Sequence, residues 1–324
     1  NLSLTLARGE ALGIVGEAGS GKSMTALALM GLLPANARRR ASAIQVSGHD
    51  LLAMSDARIA QDIAGRRMAM VFQEPMNSLN PVYTIGRQLT ETMTLHGEGS
   101  QAAAVERALY LLDKVGIPAA GSRLDQYPHQ LSGGQRQRVM IAMALMNEPD
   151  LIIADEPTTA LDVTVQAQIL RLLSELQREF GMAMILITHD LGIVSRTVDR
   201  IAVMYAGELI ETGSVSGVLN DPQHPYTRGL LDCVPNAKRE TGRRLGSIAG
   251  LVPSLVGEIR GCAFANRCSR ARDACREAPP PLNAIEGGAH AYRCVLPAHW
   301  MRNQADMNSG ELHASRPLLQ AQCA

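Results

Sequence analysis

The apolar positions of the chain follow two different spacings, and each spacing predicts one kind of element. Short unbroken apolar runs predict buried strands at 11–15, 68–72, 151–156 and 182–188. Apolar residues spaced three and four apart predict helices, among them helices within 84–117 and at 163–180. Because strands and helices alternate in this part of the chain, we expect an α/β fold with a largely parallel sheet.

Shorter patterns predict the remaining organisation. Leu2, Leu4 and Leu6 alternate with polar residues, which predicts a strand ahead of a turn at 8–10. Residues 43–46 predict a short strand that ends in a turn. After about residue 213 the sequence becomes rich in Pro, Gly and Arg and carries closely spaced cysteines. We therefore expect one domain over 1–215 and a C-terminal extension over 216–324.

Composition argues against two classes of protein. The chain has 324 residues, of which 46% are apolar, and its 31 basic residues balance 31 acidic ones. A net charge of zero argues against a nucleic-acid surface, so we expect no nucleic-acid partner. No window carries the roughly eighteen uninterrupted apolar residues of a membrane span. The chain starts without methionine, and we expect its natural N-terminus to lie upstream.

A glycine-rich stretch stands between the strand at 11–15 and a helix-forming run. It reads Gly-Glu-Ala-Gly-Ser-Gly-Lys-Ser over 16–23, which in this strand-turn-helix context indicates a phosphate-binding loop. Its glycines let the backbone amides point inward, and the helix start adds its positive dipole. Lys22 would reach the β- and γ-phosphates of ATP, and Ser23 would bind Mg²⁺. The predicted nucleotide contacts are Gly16, Glu17, Gly19, Ser20, Gly21, Lys22 and Ser23.

Acidic and polar residues follow other buried strands, at the edge where parallel sheets bind their ligands. Asp155 and Glu156 close one strand, and neighbouring strand side chains point to opposite faces. We therefore assign Asp155 to Mg²⁺ and Glu156 to the attacking water as its general base. His189 follows the next strand, where it could hydrogen-bond the γ-phosphate, although a structural histidine is the common alternative.

A second helix start carries the residues of an anion-binding element. Ser132, Gly133, Gly134 and Gln135 offer bare N–H groups, a hydroxyl and the positive end of a helix dipole. One nucleotide does not need two such elements in one subunit. A partner subunit could, however, present this element to the γ-phosphate of ATP. A capped helix that binds nothing is the other interpretation.

The ordered set of these motifs resembles the ATPase subunit of ABC transporters over about residues 1–215. The set consists of the phosphate loop, Gln73, 131–135, 151–156, Ala160-Leu161-Asp162 and His189. The resemblance implies a P-loop NTPase (RecA-like) core with an antiparallel β subdomain and a helical subdomain at about 84–149. It also implies a head-to-tail ATP sandwich, in which Ser132 and Gly134 complete the opposite site and Asp162 communicates between the sites. Gln73 would join the catalytic residues and the Mg²⁺ ligands.

Further motifs resemble the oligopeptide/dipeptide importer subfamily. They are Tyr-Pro-His-Gln at 127–130, the stretch 73–81 and His-Pro-Tyr-Thr at 224–227. Residues 138–144 look like those of its D-type ATPase. The resemblance therefore implies a D-type ATPase that pairs with an F-type ATPase and two membrane permeases, and indirectly with an external substrate-binding protein. Such a subunit lies at the cytoplasmic face of the bacterial inner membrane. Import of nickel or glutathione is the alternative cargo, and a non-transport ABC ATPase is a more distant alternative.

Four of the six cysteines lie close together in the tail: Cys262, Cys268, Cys275 and Cys294. Their spacing lacks the C-x2-C hooks of common zinc sites and the familiar ferredoxin pattern. The surrounding sequence resembles the tail of peptide-importer ATPases, some of which bind a [4Fe–4S] cluster through four cysteines. The resemblance thus implies a metal cluster over 262–294, with zinc or unligated thiols as alternatives. Cys233 and Cys323 fall outside the pattern, and we expect ordinary thiols there.

Overall fold

Parallel strands form the centre of the N-terminal part of the chain. The computed structural model describes residues 2–74, 78–97, 99–159, 161–234, 246–253, 257, 259–285 and 287–300. The chain divides into two units, Asn1–Leu209 and Ile210–Ala324. The described strands are β1 (Ala11–Val15), β2 (Gln45–Val46), β3 (His49–Asp50), β4 (Met68–Val71), β5 (Leu151–Asp155), β6 (Ala183–Thr188), β7 (Arg200–Tyr205), β8 (Glu208–Ser214), β9 (Asn283–Ala284) and β10 (Ala291–Tyr292).

The sheet of the first unit has the strand order β4-β5-β6-β1-β7, and each of its strand pairs is parallel. The α/β prediction is therefore confirmed. A separate antiparallel pair joins β2 to β3. The described α-helices of this unit are α1 (Lys22–Met30), α2 (Asp56–Asp62), α3 (Ile85–Leu95), α4 (Gln101–Lys114), α5 (Ala120–Arg123), α6 (Gly133–Ala144), α7 (Val163–Phe180) and α8 (Leu191–Thr197).

Apolar side chains fill both faces of this sheet, which explains why its strands are continuous apolar runs. Successive residues of one strand belong to different clusters: Ile152 and Ala154 pack with α6 and α7, whereas Ile153 packs on the opposite face. β6 repeats this division, since Met184 and Leu186 lie in one cluster and Ile185 and Ile187 in the other. The sheet is thus a buried layer between two sets of helices, and its strand ends are the places left for chemistry.

The register aligns the carboxyl ends of the strands at one edge. Val15 pairs with Thr188, Asp155 pairs with Ile187, and Val71 pairs with Ala154. The residues that follow these ends are Gly16, Gln73, Glu156 and His189. One edge of the sheet therefore carries all four sequence-predicted positions.

One local prediction differs from the structure. Leu2, Leu4 and Leu6 are half-buried against the core, but the described residues before β1 form no strand. Their alternation therefore reflects packing of one side of the segment, without the backbone pairing that a strand requires. The domain boundary at about 215 stays a prediction; the division between Leu209 and Ile210 lies within β8.

The second unit contains β8, β10 and β9 as neighbouring antiparallel strands, with β8 crossing the division between the units. Its described α-helices are α9 (Val215–Asn220), α10 (Pro225–Cys233) and α11 (Ala274–Glu277). The Glu211 carboxylate is fully buried and accepts hydrogen bonds from the backbone N–H groups of Gln223 and His224. His290 Nε2 lies 2.8 Å from Glu211 Oε1. Backbone N–H groups just before α10 thus satisfy the buried carboxylate of Glu211.

Among the described helices of the chain, none has both the length and the apolar character needed to cross a membrane.

Candidate functional site

A tight loop joins β1 to α1 and curls its backbone around Lys22. Gly16, Gly19 and Gly21 all have positive φ angles. A Cβ atom at Gly16 would lie 2.2 Å from the backbone oxygen of Met204 and 2.8 Å from Ser20 Oγ. Glycine is therefore required at Gly16 by space as well as by conformation.

Lys22 is buried within this loop. Its Nζ donates hydrogen bonds to the backbone oxygens of Gly16 at 2.8 Å and Glu17 at 3.0 Å. Burial lowers the pKa of Lys22, and the nearby carboxylates of Glu156 and Asp155 act in the opposite direction. The ammonium group is thus held by carbonyl oxygens, which phosphate oxygens could replace as stronger partners.

Ser20 supplies a second polar atom that fits a phosphate ligand. The side chain is fully buried, and its Oγ has no hydrogen-bond partner in the part of the chain that the structure describes. A buried hydroxyl without a partner is costly, so an anionic ligand in the loop would supply the missing acceptor. The loop therefore fits a triphosphate group.

Ser23 and Asp155 bring together the oxygen ligands that Mg²⁺ prefers. Ser23 Oγ donates a hydrogen bond to Asp155 Oδ1 at 3.0 Å. Burial raises the pKa of Asp155, whereas the Ser23 hydrogen bond lowers it. A hydroxyl and a carboxylate at this separation fit a Mg²⁺ ion beside the phosphate loop.

Three side chains meet at one oxygen of the Glu156 carboxylate. Gln73 Nε2 and Thr159 Oγ1 each donate a hydrogen bond to Glu156 Oε2 at 3.1 Å. His189 Nδ1 lies 3.5 Å from the same oxygen. Glu156 has a φ angle of 43°, a left-handed conformation that is uncommon outside glycine and that recurs at functional sites.

The structure therefore brings Gln73, Glu156 and His189 together, and it adds Thr159, which the sequence interpretation did not identify. Thr159 follows Glu156 in a turn, in which the Thr159 N–H donates to the Glu156 carbonyl oxygen at 3.1 Å. A hydroxyl residue three positions after an acid at a strand end was the available signal, because such a turn returns the hydroxyl toward the acid.

The stretch at 132–135 forms the start of α6 with a reciprocal cap. Ser132 Oγ accepts a hydrogen bond from the Gln135 N–H at 3.3 Å, and Gln135 Oε1 accepts one from the Ser132 N–H at 3.0 Å. A Cβ at Gly134 would lie 3.0 Å from Val165 Cγ1, so this glycine lets α6 begin close to α7. Asp162 caps α7, because its Oδ1 accepts from the Val165 N–H at 3.0 Å. The starts of α6 and α7 therefore lie close together, and they carry Gly133, Gly134 and Asp162.

A backbone hydrogen bond joins two of the four clustered cysteines of the second unit. The Cys262 N–H donates to the Cys275 carbonyl oxygen at 2.7 Å. Burial raises the pKa values of Cys262 and Cys268, and it raises that of Cys294 to about 11. Neighbouring thiols of the same group raise these pKa values further.

Within the described residues, no group of three or more His, Cys, Asp or Glu side chains is arranged to hold a metal ion. The predicted [4Fe–4S] group on Cys262, Cys268, Cys275 and Cys294 is therefore not supported. Cys233 is a free thiol at the end of α10. Cys323 lies outside the described residues.

Both units of the chain match known protein families. Residues 1–159 match the family described as ABC transporter, and residues 210–275 match the oligopeptide/dipeptide transporter C-terminal region. The Probable peptide ABC transporter ATP-binding protein y4tR of Sinorhizobium fredii is 49% identical over 297 residues, which cover 91% of this chain and 87% of that protein. The Dipeptide transport ATP-binding protein DppD of Escherichia coli is 47% identical over 296 residues, covering 91% of this chain and 90% of that protein.

A solved structure resembles about two thirds of the chain. The dimeric post-hydrolysis state of the ATP-binding cassette MJ0796, bound to ADP and Pi, superposes with a TM-score of 0.58 at 28% identity. The match covers 66% of this chain and 89% of that one.

Proposed function

The chain belongs to the family of ABC transporter ATP-binding proteins, and we propose that it hydrolyses ATP to drive the import of dipeptides or oligopeptides through separate membrane permeases. The observation that carries this proposal is the pairing of a phosphate loop, complete in the structure, with a C-terminal region of the oligopeptide/dipeptide type. Two relatives that are named for peptide or dipeptide transport each align with 91% of the chain, which includes both of these parts.

In this proposal the loop residues Gly16, Glu17, Gly19, Ser20 and Gly21 surround the phosphates of ATP. Lys22 exchanges its two carbonyl partners for β- and γ-phosphate oxygens.

Ser23 and Asp155 would hold Mg²⁺, with Gln73 as a further ligand from the neighbouring strand end. When bound, Mg²⁺ neutralises charge on the phosphate oxygens.

Glu156 acts as the general base in the hydrolytic step. A water molecule attacks the γ-phosphorus, its proton passes to the Glu156 carboxylate, and the bond to the β-phosphate oxygen breaks to leave ADP and phosphate. His189, whose Nδ1 lies 3.5 Å from Glu156 Oε2, would donate a hydrogen bond to the γ-phosphate. Gln73 holds the carboxylate from the neighbouring strand end. The polar residues at the sheet edge thus have separate parts in one reaction.

A second ATPase subunit completes each site in this proposal. Ser132, Gly133, Gly134 and Gln135 would face the γ-phosphate bound by the partner, and Asp162 would connect the two sites. The support is geometric, since the exposed Ser132 and Asp162 cap neighbouring helices whose starts lie close together. The dimer described for MJ0796 holds ADP and Pi, which agrees with a nucleotide site in a paired cassette.

The remaining partners follow from the same family. We propose an F-type ATPase as the partner, two permease subunits in the inner membrane, a substrate-binding protein outside it, and a position for this chain on the cytoplasmic face. The ATPase domain would include the helical subdomain at about 84–149, through which contact with the permeases would run. The four clustered cysteines of the C-terminal unit take no part in the proposal.

Uptake assays test this function. A strain that lacks the gene would be complemented with the wild-type chain or with Lys22→Ala, and uptake of a labelled dipeptide, oligopeptide, glutathione and nickel would be measured. We expect peptide uptake with the wild type and none with Lys22→Ala. Lys114→Ala, which removes a surface lysine paired with Glu179, is the matched control and should support normal uptake.

Other results would contradict the proposal. Restored uptake of nickel or glutathione without peptide uptake would support the alternative cargo. Recovery of the tagged chain with DNA or ribosomes instead of membrane permeases would support a non-transport ATPase.

A further inference from the structure

We propose that Thr159 is a positioning residue for hydrolysis, whose hydroxyl fixes which oxygen of the Glu156 carboxylate receives the proton of the attacking water. This inference rests on the proposed function, because it takes Glu156 as the general base. The motif assignments above give Thr159 no role. The geometry at the two oxygens of the Glu156 carboxylate supports this role.

All hydrogen bonds to the Glu156 carboxylate in the described part of the chain end on Oε2. Oε2 accepts hydrogen bonds from Gln73 Nε2 and Thr159 Oγ1, each at 3.1 Å, and His189 Nδ1 lies 3.5 Å from the same oxygen. A carboxylate has two oxygens of equal basicity that exchange by rotation about its last bond. Donors on Oε2 alone stop this rotation and leave Oε1 as the acceptor for a proton from water.

The Thr159 hydrogen bond is the more shielded of the two donor contacts. Gln73 is exposed and approaches from the end of β4, 83 residues away in sequence. Thr159 is half-buried and lies in the same turn as Glu156. A charged hydrogen bond shielded from water is stronger than an exposed one, so the threonine contact contributes more to the orientation of the carboxylate.

The backbone of this turn explains how the hydroxyl reaches its partner. The Glu156 N–H donates to the Ile187 carbonyl oxygen at 2.9 Å, which fixes the turn to the end of β6. The φ angle of 43° at Glu156 then reverses the chain, and the Thr159 N–H closes the turn on the Glu156 carbonyl oxygen at 3.1 Å. A turn held at both ends keeps the hydroxyl in place before substrate binds, as positioning requires.

The test compares Thr159→Val with Thr159→Ser in the full chain, assembled in its transporter. Valine keeps the shape and removes the donor, and serine keeps the donor. We expect kcat for phosphate release to fall about tenfold or more in Thr159→Val, the effect of losing one hydrogen bond to a charged group. KM and Kd for ATP should stay within about twofold, because the hydroxyl acts on the base and not on the nucleotide. Thr159→Ser should return kcat to within about threefold of wild type.

Two further variants keep the result decisive. Thr197→Val makes the same change in α8, where the hydroxyl only donates to the Ile193 carbonyl oxygen, and should leave kcat unchanged. Thr159→Ala removes the donor without a β-branched side chain, so it replaces Thr159→Val if that protein does not fold, and the same loss of kcat is expected.

The outcomes separate this inference from the proposed function. Normal kcat in Thr159→Val and Thr159→Ala, beside an inactive Glu156→Gln, would overturn the positioning role and leave the function standing. Equal losses in Thr159→Ser and Thr159→Val would also overturn it, because the hydroxyl would not be the cause. Turnover that survives Glu156→Gln would remove the general base itself, and with it the proposed mechanism.

Discussion

The hydroxyl of Ser23 donates to the Asp155 carboxylate at 3.0 Å and joins the start of α1 to the end of β5, 132 positions along the chain. Neither residue forms this site alone, since a loop hydroxyl and a strand-end acid must meet to offer two hard oxygen ligands. The parallel register of β1, β6 and β5 brings them together. The proposed Mg²⁺ site therefore depends on a long-range contact of the sheet.

Loss of the Ser23 hydroxyl should weaken the use of Mg²⁺. We expect Ser23→Ala to raise the Mg²⁺ concentration for half-maximal ATPase activity by about tenfold or more, as removal of an oxygen ligand would. A Mg²⁺ titration at saturating ATP measures this shift. Ser195→Ala, which removes a hydroxyl bonded to the Gly192 carbonyl oxygen in α8, is the control and should leave the titration unchanged. An unshifted curve for Ser23→Ala would remove Ser23 from the metal site.

Glu156→Gln should separate nucleotide binding from turnover. The amide keeps the size of the side chain and cannot take a proton from water, so we expect ATP to bind normally while phosphate release falls by about 100-fold or more. Equilibrium binding of labelled ATP and steady-state phosphate release measure the two properties. We also expect the variant to accumulate as a closed, ATP-bound dimer on size-exclusion chromatography.

Glu179→Gln provides the matched control for this prediction. It makes the same chemical change at a surface residue paired with Lys114, and both ATP binding and phosphate release should remain normal. Near-normal turnover in Glu156→Gln would contradict the assignment of the general base.

Much of the site could be predicted from sequence because its residues sit at strand ends. The apolar runs before Gly16 and Asp155 identify buried parallel strands, and the carboxyl ends of such strands share one edge. Helix α7 also begins and ends as predicted, at Val163 and Phe180, since its apolar period continues through the whole helix. The apolar spacing was sufficient to predict these elements, because each packs its apolar side chains into the core of the first unit.

Other features depend on contacts that periodicity does not encode. The contact of Thr159 with Glu156 arises from a turn with an unusual φ angle, which has no hydrophobic period. The alternation of Leu2, Leu4 and Leu6 resembles that of a strand, yet strand formation needs a pairing partner as well as one apolar face. The structural division before Ile210 lies within β8, which the change in composition after about residue 213 does not mark.

Gly16→Ala should disrupt the phosphate loop through a steric clash. The added Cβ would lie 2.2 Å from the Met204 backbone oxygen, closer than any stable contact. We expect the variant to lose about 2 kcal/mol or more in free energy of unfolding and to lose ATP binding.

Gly9→Ala is the matched control, because Gly9 also has a positive φ angle but its Cβ would meet nothing within 4 Å. That variant isolates the conformational cost, about 1 kcal/mol, and should bind ATP. Urea unfolding and nucleotide binding measure the comparison. Equal effects in the two variants would show that space at Gly16 is not the constraint.

The C-terminal unit should lose stability in mild acid through His224. The ring is fully buried at the start of α10, and burial lowers its pKa from 6.5 to about 3. Its neutral Nδ1 accepts a hydrogen bond from the Tyr226 N–H at 3.0 Å, which a proton on Nδ1 would abolish. Between these pKa values the unfolded chain binds a proton that the native state does not. The contribution of His224 to stability is therefore complete above pH 6.5 and falls by about 1.4 kcal/mol for each pH unit below it.

Urea unfolding between pH 7.5 and pH 5 measures this loss, which should reach about 2 kcal/mol at pH 5. The only tryptophan, Trp300, reports on this unit, because its Nε1 donates to the Gln223 carbonyl oxygen at 2.8 Å. His224→Asn keeps an acceptor for the Tyr226 N–H and removes the titrating ring. Between pH 7.5 and pH 5 its free energy of unfolding should therefore fall by about 2 kcal/mol less than that of the wild type. His96→Asn changes a half-buried histidine of the first unit and should lose stability in acid as the wild type does. If wild type and His224→Asn lost the same free energy, the buried neutral ring would not be the origin of the acid sensitivity.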